Sequence, residues 1–508
     1  MKLRFGEKLK NFVLVLLIIL SLIKVGILWN YYNHGFPINF IYAILPFGDD
    51  EEEDRLDSQY AELLKPYNII ISSGFDEGKY IINRSADEEN LWNGLWSDAK
   101  SYMLSAIESN PETYDKSKWL EVLNKAGFIF EYKTSVDSEI FNKWVLKNKS
   151  GYASTYKSVY KIALIPNDGV DEITDNMVLY VYDGNDNDAK IYRYSLKVNK
   201  SHIDYIKSRD EYKTDIIDKY TSDTSQNYRF AYELFKDVAY IRQDMLIKTN
   251  DQSTEIKTVD SYLPNGLVIQ DSDNADIQSR VSNIILGSDK TKGYETGVSI
   301  DGAITVFNIN NVYTIYKNGL VDYIYKSATQ ESNRGKIADA FEKAVSFINS
   351  INKNELLTGV KLYISNIEQN DDSYTFSFDY RINANGLPIA VDENGIKNAI
   401  VIKANGSRVL SCQWLFRVFT ASEEENSYKI AKFDVLLDAI IKNNPAIEEA
   451  IDNPDSEFVI NDISPGYILK NTNSYYTDNI KPEWIVNAAS ADDKHKMVHL
   501  KMEEGIQE

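Results

Sequence analysis

The sequence predicts an α+β protein: an N-terminal transmembrane helix followed by extracytoplasmic domains in which antiparallel β-sheets pack with helices. Three observations carry that expectation. An apolar run over residues 12–29 is long enough to cross a bilayer. Beyond it, apolar residues recur at helical spacing in a few segments and at two-residue spacing in many more. Helices and strands come in separate runs without regular βαβ alternation, which favours antiparallel sheets.

The apolar run is interrupted only by Ser21, Lys24 and Gly26. As a helix it would rise roughly 27 Å, close to one hydrocarbon core. Lys24 lies near the far end, where its stem can carry the ammonium to the interface. Trp29, Tyr31 and Tyr32 supply rings suited to headgroup depth. Lys2, Arg4, Lys8 and Lys10 precede the run against the single acid Glu7, so the N-terminus is expected inside and the remaining chain outside. The exit lacks the small residues of a cleavage site, and the only cysteine is Cys412, so an uncleaved anchor is expected rather than a secretory or lipoprotein signal.

Composition narrows the partners. The chain carries 76 acidic against 55 basic residues, a net charge of −21, which disfavours nucleic acid. One cysteine forbids an intrachain disulfide, so the domains must be held by their cores, for which 35 Tyr and 20 Phe supply area.

Read in order, residues 1–10 form a cytoplasmic N-terminus, 11–32 the anchor and 33–60 a linker containing the acidic run Asp49–Asp54. That run reads as a solvated spacer, with a calcium site as the alternative. An N-terminal α+β domain is expected over 61–200. It holds a strand in YNIIISSGF (67–75) and a helix over 87–110 with Leu91, Trp92, Leu95, Trp96, Ala99, Tyr102, Met103 and Ile107 at helical spacing. A shorter helix in KWLEVLNKAGF closed by Gly127, a strand at 129–136, and a hairpin of 176–182 with 189–198 follow. A middle domain over 201–330 opens with a helical RFAYELFKDV and ends in a meander at 303–308, 311–316 and 320–325, with Asn318-Gly319 turning the last pair. A C-terminal domain over 331–491 begins with a helix at 335–352 and continues through strands GVKLYISNIEQ, DSYTFSFDYRI, NAIVIKA and VLSCQWLFRVF, a helix KFDVLLDAIIKN, and the strand EWIVNAA. Residues 492–508 read as a charged, frayed tail.

The search for chemistry starts from serine acyl-transfer. S-x-x-K occurs at Ser97–Lys100, Ser154–Lys157 and Ser158–Lys161, with S-D-N at Ser272–Asn274 and K-S-G at Lys149–Gly151. The order is wrong for that enzyme class, because the K-[ST]-G element should come last. Only His34, His202, His495 and His499 could serve a histidine-dependent site, and none sits in a nucleophile elbow. His495 and His499 have helical metal-ligand spacing but no evident third ligand. The DGNDND turn (183–188) lacks the EF-hand glycine and terminal acid, so a hairpin loop is expected. Paired glycosidase carboxylates remain open, since their separation is a three-dimensional matter. No cofactor motif or metal cluster is found in the sequence.

Several pieces, in this order, resemble the YycH family, which shares a C-terminal module with YycI. They are the anchor ending in Trp29, ENLWNGLW with SKWLEVLNKAGFIFEY, the meander SIDGAITVFNINNVYTIYKNGLVDYIY, and NGLPIAVDENGIKNAIVIKANGSRVLSCQWLFRVF. The resemblance implies a non-enzymatic, single-span protein of the cell membrane in Gram-positive bacteria. It would hold down the sensor histidine kinase of the YycFG (WalRK) two-component system and pair with a YycI-like accessory protein, with membrane lipid as its other partner. Within the span, Leu17, Ser21, Lys24 and Leu28 share one face and are the candidate kinase-helix contacts, with plain lipid contact as the alternative. Two competing readings are a membrane-anchored cell-wall hydrolase and a wall-polymer-binding protein using Trp92 and Trp96.

Overall fold

The structure is a computed structural model that describes residues 59–501. Left out of that range are 76–78, 83, 87, 108, 148–154, 167–175, 185–187, 198–227, 236–237, 239, 249–254, 288–292, 327–333, 353–355, 393–394, 423–426, 430–432, 444–447, 449–452, 454–457, 471–477 and 490–495. Among the described residues no helix is long and apolar enough to cross a membrane. The span expected at 11–32 and the acidic run lie outside them.

The α+β expectation holds. The first sheet has nine strands, all paired antiparallel, in the order Glu112–Asp115, Lys190–Lys197, Asn176–Tyr182, Ser158–Pro166, Ala126–Asp137, Asn68–Ser73, Lys79–Ile82, Tyr228–Phe230, Leu246–Lys248. Both faces are apolar because its central strands alternate within a doubly covered layer. Ile69, Ile71, Phe128, Phe130, Ile162 and Leu164 belong to the core that also takes in Trp92 and Trp96 of the helix Glu89–Ile107. The opposite-facing Ile70, Ile129, Ala163 and Tyr180 pack with Trp119, Val122 and Leu123. The two tryptophans that the wall-polymer-binding reading would need exposed are core, as their helical spacing suggests: Trp92 is 0% and Trp96 3% exposed.

Among the described residues the second sheet has twelve strands. A meander of Glu295–Val298, Ile304–Phe307, Asn311–Ile315 and Leu320–Tyr325 continues through Val409–Leu415, Ile400–Ala404 and Tyr374–Ile382. Pro388–Val391, Val459–Leu469, Pro482–Ala489 and Lys496–Lys501 complete the row, and Val360–Gln369 pairs with Tyr374–Ile382. The helix Ile337–Asn352 covers one face, with Phe341, Ala344, Val345 and Ile348 buried and Phe341 edge-on to Phe376.

Several local expectations change. Gly127 does not close a helix, which ends at Leu123; it lies in the strand Ala126–Asp137, where a Cβ would meet the Leu164 carbonyl at 2.4 Å. RFAYELFKDV is helical only over Ala231–Leu234, because Tyr228–Phe230 is drawn into the first sheet by Leu246–Lys248. Among the described residues, the strand Pro388–Val391 pairs parallel with Val459–Leu469, and Ile241 and Ile460 form a parallel bridge. The tail expected to fray carries the edge strand Lys496–Lys501. The stretch 201–330 gives its described strands to several sheets. Tyr228–Phe230 and Leu246–Lys248 join the first, and Glu255–Lys257 pairs with Ser427–Lys429. Val259–Tyr262 lies between Val418–Ala421 and Asp478–Ile480, and the meander joins the second sheet.

Candidate functional site: the charged junction between the two sheets

Strands buried on both faces should be uninterrupted apolar runs. Three strands here break that rule where the two sheets meet. Ala126–Asp137 carries Glu131 and Lys133, Ser158–Pro166 carries Lys161, and Tyr374–Ile382 carries Asp379 and Arg381. Buried charge is tolerated only when paired, and Lys133, Lys161 and Arg381 find partners from distant parts of the chain.

Lys161 and Glu131 are cross-strand neighbours, and their side chains pair at 2.7 Å. Lys161 Nζ also reaches Asp244 Oδ2 at 2.6 Å, while Arg242 Nε holds Asp244 Oδ1 at 2.7 Å. The segment bearing Arg242 and Asp244 is fastened to the second sheet: Arg242 N donates to the Ile460 carbonyl and Ile460 N to the Tyr240 carbonyl. Burial alone would push the Asp244 carboxyl up, but the adjacent Arg242 and Lys161 outweigh it and hold the carboxyl well below its ordinary value. Lys161 is the converse case. Burial works against its charge, and Asp244 and Glu131 nevertheless raise it above the ordinary lysine value.

A second group lies around Tyr67. Lys133 sits 4.1 Å and the Arg381 guanidinium 4.0 Å from the Tyr67 ring centroid, so two cations use one π-system. Arg381 Nη1 also donates to the Tyr67 carbonyl at 2.8 Å, and Lys133 pairs with Asp462 at 2.5 Å. Tyr363 packs on Tyr67 with centroids 4.9 Å apart. Nearby, Lys361 binds Glu89 at 2.6 Å, and Arg84 pairs with Glu62. Burial, and then the neighbouring Arg381, bring the Arg84 guanidinium down to about 9.

The third contact lies where the described chain begins. Helical residues 59–63 place Tyr60 against Trp144, stacked at 4.0 Å, and beside Phe341 at 6.3 Å. Its hydroxyl meets Ser346 Oγ at 3.1 Å. Lys143 on the first-sheet side pairs with Glu342 on the helix Ile337–Asn352 at 2.9 Å. The last residue of the expected linker, Tyr60, is thus clasped by both halves of the molecule.

Among the described residues, the chemistry-bearing motifs read from the sequence are not brought together. Ser158 Oγ donates to the Asp183 carbonyl, and Lys161 is held charged between two carboxylates, so that pair cannot work as nucleophile and neutral base. Ser97 is exposed on its helix, its carbonyl accepting from Ser101 Oγ. Lys157 is 80% exposed and 3.7 Å from Asp188. Asn274 of the S-D-N motif caps the helix Ala275–Leu286, its Oδ1 accepting from Asp276 N and Ile277 N. Asp183 locks its own hairpin by accepting from Lys190 N at 2.7 Å. Ser154, the K-S-G motif, His34, His202, His495 and the candidate face Leu17, Ser21, Lys24 and Leu28 lie outside the described residues. His499 lies on the edge strand opposite Ile485. Among the described residues, no group of three or more His, Cys, Asp or Glu is placed to hold a metal ion.

The junction residues escaped the sequence reading, although a signal was present: charged residues set inside strands otherwise apolar on both faces. No protein-family model matches the chain, and no curated protein matches it.

Proposed function

We propose that the chain is a non-enzymatic regulatory protein, anchored in the cell membrane by residues 11–32, that modulates a sensor histidine kinase of the YycFG (WalRK) type in the inhibitory sense. It acts through transmembrane-helix contacts and through external domains that pair with a YycI-like accessory protein. The observation that carries this reading is the clasp on Tyr60. The end of the expected linker is gripped by Trp144 on one side and by Phe341 and Ser346 on the other. A protein that relays an external event to a membrane helix needs such a fixed take-off point, because coupling requires both sites to bias one structural element. The charged seam adds to this, since polar interfaces between units are adjustable in a way that apolar cores are not. A differential of ~1–3 kcal/mol between two kinase states would change signalling several-fold or more.

The test is co-purification of the sensor kinase from membranes with three full-length forms: the parent, a version with residues 12–29 replaced by polyleucine, and Tyr60→Ala. The reading expects the parent to retain the kinase and the polyleucine form to lose it. Tyr60→Ala should retain the kinase while failing to restrain its autophosphorylation. Retention by neither the parent nor the polyleucine form would remove the kinase from the reading. The external domains would then be screened for wall-polymer binding and hydrolysis.

A further inference from the structure

An open pocket of about 410 Å³ lies where two turns of the meander meet the strand Val409–Leu415. Both turns are built by their own hydrogen bonds. In the first, Ser299 N donates to the Ala303 carbonyl and Gly302 N to the Ser299 carbonyl. Asp301 Oδ1 there accepts from the Ser299 hydroxyl and from Ala303 N, which fixes the Asp301 side chain. In the second, Gly319 N donates to the Tyr316 carbonyl and Asn318 Oδ1 accepts from Leu320 N. Phe416 N then bonds the Gly319 carbonyl and ties that turn to the end of Val409–Leu415.

Asp301 lines the pocket from the first turn, Tyr316 and Lys317 from the second, and Gln413 from the strand. Asp322 orders two of these, since the Tyr316 hydroxyl and the side chain of Gln413, its cross-strand neighbour, both bond its carboxyl. The Lys317 ammonium lies against the first turn, where a Cβ on Gly302 would come within 2.9 Å of it. These charges decide the ligand class. A bare anion would face Asp301 and Asp322, and a bare cation would face Lys317. A neutral molecule bearing hydroxyls suits all of them, because each hydroxyl both donates and accepts. It can give to Asp301, take from Lys317 and do both with the Gln413 amide. Leu320 and Ile396 supply apolar lining for the C–H surface between those hydroxyls. The volume lies within the range of small-ligand sites.

We propose that this pocket binds a neutral sugar ring through Asp301, Lys317 and Gln413. Two sources share that chemistry: a free saccharide, and a sugar unit within a neutral glycan chain. The site shares no residue with the clasp on Tyr60 or with the charged seam, so it stands or falls independently of the kinase reading.

Saturation-transfer difference NMR on the full-length protein, titrated in a detergent without a sugar head group, tests the pocket. The neutral probes are glucose, N-acetylglucosamine and chitotetraose, and N-acetylglucosamine 1-phosphate is the charged counterpart. The expected result is binding of neutral probes, with the phosphate binding more weakly than N-acetylglucosamine. Gln413→Ala and Lys317→Ala should each weaken binding roughly three- to tenfold, the loss of one hydrogen bond. Neither side chain belongs to the core, and thermal melting establishes that both variants fold. Markedly tighter binding of chitotetraose than of N-acetylglucosamine supports the pocket with a glycan source, and near-equal binding supports it with a free saccharide. Three results overturn the proposal: failure of every neutral probe to bind the parent, unchanged binding in both folded variants, or tighter binding of the phosphate than of N-acetylglucosamine.

Discussion

Replacing Asp244 by Asn keeps the side chain's shape and removes one charge from the most buried part of the junction. Lys161 is 1% exposed and Asp244 9%, so solvent cannot compensate for the change. In the variant, Lys161 and Arg242 face each other with Glu131 as their remaining carboxylate neighbour in this group. Breaking one partner out of a buried pair costs about 3–5 kcal/mol, mainly because the other charge is left stranded. Unfolding entropy near 2.1 cal/mol/K per residue over the described residues gives roughly 0.7 kcal/mol/K, so Tm should fall by about 4–7 °C. The pH dependence gives an independent readout. The Asp244 carboxyl sits well below its ordinary value of 3.8 in the folded protein. Its contribution is therefore complete at neutral pH and is lost as pH falls from about 4 toward the folded value. Urea unfolding followed by tryptophan fluorescence at pH 7, repeated between pH 3 and 6, measures both effects. The reasoning fails if Asp244→Asn lies within ~0.5 kcal/mol of the parent at pH 7. It fails equally if parent and variant lose stability with the same slope below pH 4.

Other perturbations separate the physical contributions. Asp379 is buried but in the opposite regime: burial raises its carboxyl, and the bonds it accepts from Ala399 N and Asn398 Nδ2 do not offset this. Its folded value exceeds the unfolded one, so stability is lost as pH rises through that window. Asp379→Asn should therefore cost less than about 1 kcal/mol at pH 7, and urea midpoints at pH 4 and 7 should converge relative to the parent. Gly359 has φ +81°, and a Cβ there would lie 1.9 Å from the Phe419 carbonyl oxygen. Gly359→Ala should cost about 2 kcal/mol or more by the same assay. Trp96 contacts Phe130, Phe141 and Tyr132, so Trp96→Ala should cost about 3–5 kcal/mol. Acrylamide should quench little of its fluorescence in the parent, whereas ready quenching would restore the exposed-tryptophan reading.

What could be read from the sequence was local. The helix Ile337–Asn352 was visible because Phe341, Ala344, Val345 and Ile348 repeat at its period, and the meander because its strands alternate over tight turns. The turn at Asn318-Gly319 was visible because Gly319 takes φ +87°, a conformation that glycine adopts freely. What could not be read was set by distant chain. Phe230 becomes strand because Leu246 pairs with it, and Pro388–Val391 lies parallel to a strand far along the sequence. Lys133, Lys161 and Arg381 looked like ordinary strand charges, since nothing local announces that the second sheet will cover them.

The same separations set an order of events during synthesis. Lys133 waits 329 residues for Asp462, the Tyr67 carbonyl 314 for Arg381, and Tyr60 286 for Ser346. A nascent chain leaving the ribosome can assemble the interior of its first sheet early, but Lys133 on its cationic flank stays wet until Asp462 arrives. A message that stops before codon 462 yields a product whose first half looks finished and whose seam is not.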